Sequence, residues 1–324
     1  MSQSRFTPLH AAAVLALVAG SGLAQAQSSV QAYGLIDVSA GQFQDAGGVK
    51  DKSVQSGKAS TSYFGFKGSE DLGGGLSAKF AFESFLRADS GGAGRFNGDT
   101  FWARNANVGL AGGFGSLLVG RNTTSLFVST LLFNAWGDSF GYSPSIRHYF
   151  TSGTTTGDTG WNQSISYTTP SLGGLSAQLQ VAGNDGATFG RKTGGNVLYF
   201  AGPFAATAAY QKVKAGSSAG TTTWQLGASY DLGPAKLYGQ YGKVKNDTTG
   251  TDYKLADAGA AVPLGSGKVL VEYGRLSVQG RKTLTAGYDL NLSKRTDVYA
   301  VAMSDKKEAA STGATYALGV RHRF

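Results

Sequence analysis

The sequence predicts an all-β protein, a closed antiparallel transmembrane β-barrel of sixteen strands. Three observations carry this: the composition, short segments in which apolar and polar residues alternate, and tight turns that take turns with longer polar connections. Glycine is abundant at 49 and proline scarce at 6, beside 15 Tyr and 18 Phe. That mixture suits aromatic-rich strands joined by tight turns and suits helices poorly. No run of about 18 apolar residues is present that could cross a bilayer as a helix.

The first ten residues hold Arg5 and no acid, Ala11 to Gly20 is small and apolar, and Ala24-Gln25-Ala26 supplies a small-x-small cleavage pattern. These are the three parts of a secretory signal. Residues 1–26 are therefore expected to be a cleaved signal peptide, and 27–324 a single barrel domain. Removing 26 of 324 residues leaves 298, and losing Arg5 takes the formal charge from +9 to +8. With no cysteine, an exported chain has neither a disulfide framework nor thiol chemistry. The positive charge is spread along the chain without the Lys/Arg clusters of nucleic-acid binders, so it is expected to line a surface or a lumen, with no nucleic-acid partner.

Strand character shows in the period of two. Leu175, Ala177, Leu179 and Val181 fall on one side of their segment, and Ser176, Gln178 and Gln180 on the other. Trp224, Leu226, Ala228 and Tyr230 alternate with Thr223, Gln225, Ser229 and Asp231, and Leu284, Ala286, Tyr288 and Leu290 with Thr283, Thr285, Asp289 and Asn291. One such strand fits a soluble sandwich as well as a barrel; connection lengths decide between them. Tight connections fall at 71–75, 112–115, 170–174, 201–203, 231–235, 262–267 and 291–295. Longer polar ones fall near 42–58, 88–100, 124–161, 185–193, 215–220, 246–250, 278–280 and 306–312. Seven turns and eight loops make fifteen connections and so sixteen strands, with both termini on the short-turn side. A barrel of that size encloses water and not a packed core. Hydrocarbon cannot satisfy a free strand edge, so the last strand must pair with the first. That last strand sets Tyr316, Leu318, Val320 and the terminal Phe324 against Ala317, Gly319, Arg321 and Arg323, as a membrane strand with an aromatic boundary residue would.

Several longer stretches carry a resemblance: SSVQAYGLIDVSAG at 28–41, YFGFKGSEDLGGGLSAKFAFES at 63–84, RNANVGLAGGFGSLLVGRN at 104–122, NQSISYTTPSLGGL at 162–175, LSKRTDVYAV at 292–301 and GVRHRF at 319–324. Together they resemble the general trimeric porins of Gram-negative bacteria, in particular the β-proteobacterial branch. The resemblance implies a homotrimer in outer-membrane lipid and lipopolysaccharide, a passive diffusion pore for small hydrophilic solutes and ions, and a Phe324-terminated strand read by the barrel-assembly machinery. It also implies that the third extracellular loop folds into the lumen as a constriction. That loop is roughly 124–161, the longest connection, and its Trp136, Phe140, Tyr142 and Tyr149 are unlike disorder.

In such a constriction, wall arginines face loop acids and set a transverse field that orients polar solutes. Matching the motifs places Arg104 and Arg121 at wall positions. Asp138 is the one acid of 124–150, and Glu83 lies on the parity of Lys79. Alternation puts Phe64 and Phe66 on one side and Tyr63 and Lys67 on the other, so Lys67 should face water. Asp37 shares the inward face of Gln31 and Tyr33, and Arg147 joins the wall set. Asn105 and Asn107 fall on the nominally outer face, expected to be the trimer contact. Two positions depart from the family pattern: Tyr63 stands where arginine is common, and Gly160-Trp161-Asn162 where another wall arginine is common. Fewer wall arginines leave a modest anion preference, and a channel selective for small carboxylates or phosphate is the alternative.

Catalytic chemistry is poorly supplied. Outside the signal the only histidines are His148 and His322, with no triad motif around either and no transition-metal set, and the glycine stretches lack phosphate-loop spacing. No enzyme activity, cofactor or metal is expected. A barrel enzyme or a loop-borne adhesin are the rivals from other classes; lost hydrolysis on mutating His148, or binding without conductance, would favour them.

Overall fold

A computed structural model describes residues 28–324, so the expected signal and its cleavage point lie outside the described residues. Eighteen strand segments form one antiparallel sheet. Its first strand, Ser29–Phe43, pairs with its last, Gly313–Arg323, from Leu35 opposite Arg323 to Gln42 opposite Tyr316. Closure leaves no free edge, as hydrocarbon requires.

Eighteen segments reduce to sixteen barrel strands. Asp51–Ser56 and Tyr63–Gly73 pair with the two halves of Ser29–Phe43, and count as one strand interrupted by an excursion at 57–62. Gly92–Ala93 is a short rung against Leu86 and Arg87 inside a loop. The sixteen strands agree with the count from turns; the loop expected at 42–58 is shorter, because Asp51–Ser56 is strand.

The side chains are inside out relative to a water-soluble sheet. Leu226 is 53% exposed while its neighbour Gln225 is fully buried, and Leu179 is 63% exposed beside Gln180 at 2%. The same order holds for Leu284 between buried Thr283 and Thr285. An apolar outer face is stable only against lipid, since in water it would forgo the roughly 25 cal/mol per Å² that removal from water contributes. Phe64, Phe82, Phe101 and Trp102 form a cluster of touching rings, with centroids 4.8–6.4 Å apart.

Candidate functional site

The connection from Thr123 to Gly160 folds back into the barrel. Thr124 caps the helix Ser125–Leu132, its hydroxyl accepting from the Phe127 amide at 3.3 Å. Inner polar side chains hold this helix against the wall: Asn196 donates to the Ser125 carbonyl at 3.0 Å, Gln240 to the Thr130 carbonyl at 2.9 Å, and Ser129 bonds Thr207 at 2.9 Å. The chain then crosses the lumen and returns through the turn Pro144–Ile146 and the π-turn Arg147–Thr151. Ser145 donates to Glu272 at 3.1 Å, Thr285 to the Tyr142 carbonyl at 2.8 Å, and His148 bonds Thr283 at 3.0 Å. Leu126, Phe133, Tyr142, Ile146 and Tyr149 are fully buried. Each contributes about 1.5–3 kcal/mol toward seating the loop.

Glycines hollow the wall where the loop lies. A Cβ on Gly242 would come within 2.1 Å of the Tyr149 hydroxyl, one on Gly287 within 2.6 Å of Trp136, and one on Gly274 within 2.6 Å of Pro144. These glycines sit on strands Lys236–Asn246, Arg281–Asn291 and Gly267–Leu276, all on the side that receives the loop.

The facing wall carries the charge. Glu83 accepts from the Tyr33 hydroxyl, from Arg104 at 2.5 Å and from Asn105. The Arg104 guanidinium lies 4.0 Å from the Tyr63 ring centre, and Lys67 lies 4.4 Å from that of Tyr33. Tyr63, in place of the usual arginine, thus becomes the platform on which Arg104 rests. Arg104 precedes its strand, which begins at Asn105, so alternation does not govern it. Counting parity from Arg104 therefore inverted the strand. Asn105 bonds Glu83 and Asn107 is buried, donating to the Arg121 carbonyl, while Val108 and Leu110 face outward; the asparagines do not lie on an outer contact face.

Arg121 donates to Asn162 at 2.7 Å, to the Ala103 carbonyl at 2.6 Å and to Asp158. Arg95 grips the same Asp158 through two nitrogens at 2.7 and 2.9 Å, and Asp99 at 2.8 Å. Burial alone would raise the Asp158 carboxyl, but the hydrogen bonds and charges of Arg95 and Arg121 outweigh it and hold the group below the usual range. Asp158 and Arg95 escaped the sequence reading, which sought the loop acid only within 124–150. The signal was an acid two residues before the returning strand, near Arg121, which the sequence reading had assigned to the wall.

Asp138 accepts from Ser60 at 2.9 Å and shares a cavity of about 330 Å³ with Lys268, Arg321 and Arg323. Arg321 binds Asp289 at 3.0 Å and Asp297 at 2.9 Å, and Arg323 binds Asp297 at 2.8 Å. The alternation of the last strand had set these two arginines opposite its lipid face without marking them as site residues. Arg147 belongs to the loop and not to the wall: it binds Asp45 at 2.7 Å and Asp305 at 3.4 Å, pinning the loop to the rim. Asp37 points inward but is fully buried, accepting from the Ala59 and Ser60 amides at 2.7 and 3.1 Å and from Tyr299 at 2.6 Å. It anchors the 57–62 excursion and does not meet water. His148 is held neutral by burial and by the charges of Arg281 and Arg147, its pKa lowered to about 3.

A closed barrel with a lipid-compatible outside, a polar inside and a folded-in loop is the architecture of a bacterial outer-membrane pore. The model of the family described as Gram-negative porin matches residues 11–310, and the chain belongs to that family. It is 37% identical to outer membrane porin protein 32 of Delftia acidovorans, over 94% of this chain and 92% of the relative. An outer membrane porin protein of Bordetella pertussis is 27% identical over 98% of this chain and 99% of its own. Among solved structures, an anion-selective porin from Comamonas acidovorans superposes with a TM-score of 0.77 at 30% identity, covering 92% of this chain and 100% of that one. OmpF of Salmonella typhi, with a TM-score of 0.70 over 93% of this chain and 99% of its own, is 17% identical and shares the fold. The protein is thus an outer-membrane channel for passive diffusion, and not an enzyme.

Proposed function

We propose that this channel prefers anions, with the loop 124–159 as its constriction and Arg104, Arg121, Lys67, Arg321 and Arg323 setting the field against Glu83, Asp138 and Asp158. The observation that carries the reading is the concentration of cationic side chains on the wall the loop leaves free. In a confined passage with low-dielectric walls, cations that reach further into the water than the acids holding them, as Arg104 does at 31% exposed over Glu83 at 5% and Arg323 at 44% over Asp297 at 3%, concentrate anions. The anion-selective Comamonas porin is a relative of matching architecture. Planar-bilayer recording across a salt gradient tests this: stepwise conductance with a reversal potential on the anion side is the expected result, and a potential at or beyond zero on the cation side would overturn it.

We also propose that residues 1–26 direct export and are then removed by cleavage after Ala26, and that three copies assemble. The outer ring cluster of Phe64, Phe82, Phe101 and Trp102 would form part of the contact between copies, lipid and lipopolysaccharide would bound the remaining face, and the barrel-assembly machinery would read the strand ending in Phe324. Amino-terminal sequencing of the purified protein and its mass in mild detergent check the first two; delivery of a chain lacking Phe324 checks the last.

A further inference from the structure

We infer that the outer mouth of the channel holds a binding site for aromatic monocarboxylates, which makes the pore discriminate among anions of equal charge. The inference rests on the reading of an anion-preferring channel and adds to it a substrate class.

Above the loop lies a second cavity, of about 350 Å³, a size that suits a small organic ligand. Four cationic side chains line it, in two kinds. Arg95 is matched by Asp99 and Asp158, and Arg147 by Asp45 and Asp305. Lys58 and Arg87 are different: among the described residues neither makes an ion pair, and Arg87 has only the neutral acceptors Asn97 at 2.7 Å and the Ala93 carbonyl at 3.4 Å. The Arg87 Nε is buried without a partner. Lys58 feels the nearby acids Asp45, Asp51 and Asp89 without touching them, and of these only Asp45 lines the cavity. Four cations against one acid leave the recess an excess of positive charge that fits an incoming carboxylate, which Arg87 can bind through two nitrogens.

The remaining lining is mixed: Asp45, the acid that holds Arg147, and several hydroxyl groups share it with apolar side chains. Phe43, Leu86, Phe140 and Met303 border the same cavity. Phe140 is stacked on Phe127 at 5.7 Å, and Phe127 meets Phe150 edge-on at 5.4 Å, so a ring placed against Phe140 would join an existing aromatic stack. Lys58 stands 5.5 Å from the Phe43 ring centre, so charge and ring face the same space. A hydrated inorganic anion or acetate would use only the cations. Benzoate would use both the cations and the ring wall, and a stacking pair strengthens binding by up to roughly tenfold.

Chloride current through the purified channel in a planar bilayer, titrated with benzoate, acetate or cyclohexanecarboxylate on the loop side, tests the inference. Benzoate should block at a concentration roughly tenfold below that of acetate, with cyclohexanecarboxylate between them. Phe140→Leu should close most of the gap between benzoate and acetate while leaving block by acetate in place, whereas Arg87→Gln should weaken block by all three. Equal block by benzoate and acetate in the wild-type channel, or a gap that survives Phe140→Leu, would overturn the site. The salt-gradient potential, measured on the same membranes without added acid, tests the underlying anion preference separately. An anion-preferring pore that fails to tell benzoate from acetate loses the site and keeps the proposed function.

Discussion

The two halves of this barrel's inner wall solve opposite problems. Strands from Leu175 to Asn291 seat the loop chiefly through glycine, threonine and glutamine, groups that fit against it and satisfy its backbone: Asn196, Gln240 and Thr285 each donate to a loop carbonyl, beside the charged Glu272 and Arg281. The half built from Ser29–Thr123 and the terminal strand presents arginine and lysine, many of them paired but still reached by water, as Arg104 is with 31% of its side chain exposed. One half spends its polarity on holding a segment of chain, and the other keeps it for solutes. The difference shows why position in a barrel, and not residue type alone, decides whether a polar side chain is structural. Glu272 and Glu83 are both buried acids, yet the first accepts from loop serines and the second orders an arginine.

The largest effect should come from filling the seat. Gly287→Val or Gly242→Val would drive a side chain into Trp136 or Tyr149, where atoms already stand 2.6 and 2.1 Å from the Cβ position. Overpacking of this kind costs about 1–3 kcal/mol; the loop can relieve its share by leaving the wall, while the Ala300 and Trp224 carbonyls, 2.4 and 2.5 Å from the Cβ positions, require a small shift of the neighbouring strands. Single-channel conductance should rise severalfold while the barrel stays folded by its heat-dependent gel mobility. Unchanged conductance in both variants would mean that the loop does not limit the passage.

Next comes the clamp at the loop's return. Asp158→Asn would leave Arg95 with Asp99 alone and Arg121 without an acid, so the clamp would gain one net positive charge, uncompensated at Arg121. The reversal potential should move further to the anion side. Arg104→Gln works in the other direction, since it leaves Glu83 buried without its cation. At roughly 4 Å in water a unit charge is worth about 1 kcal/mol, so the anion-to-cation permeability ratio should fall by no more than about fivefold. A ratio that stays put in Arg104→Gln would remove this residue from the lumen.

Much of the fold was legible because its rule is simple. A strand buried in lipid must alternate, and a barrel must alternate short turns with long loops, so the count of sixteen emerges from Gly-rich turns such as 112–115 and 231–235. The excursion at 57–62 was not, because the acid that stabilises it, Asp37, lies some twenty residues earlier and acts through backbone amides that no side-chain pattern announces. Side-chain directions were legible where a strand fixes them, as for Lys67, which is exposed opposite the outward Phe66. They were not where a residue stands just outside a strand: the parity of Arg104 misassigned Asn105 and Asn107. Partners across the lumen, such as Asp158 for Arg95, depend on the loop's path, which follows from the glycine seat in three dimensions and from no local periodicity.

The smallest predicted effect tests the loop-bearing half again, through pH. Seated against Thr283, His148 takes up a proton only near pH 3, whereas in a loop free of the wall it would do so near its ordinary 6.5. A displaced loop therefore binds the proton first, and the seat weakens progressively as pH falls from about 6.5 toward 3. Asp158 contributes with a different window. Its carboxyl is held below 3.8, so its support is complete above that value and is lost only in stronger acid. Between pH 6.5 and 4 the histidine should act, which makes current noise from loop motion grow over that range in the wild type and grow less in His148→Gln, where an amide can keep the bond to Thr283 without titrating. Noise that begins only below pH 4 in both channels would assign the change to the Asp158 clamp and place the weaker seam of the loop on the charged side of the barrel.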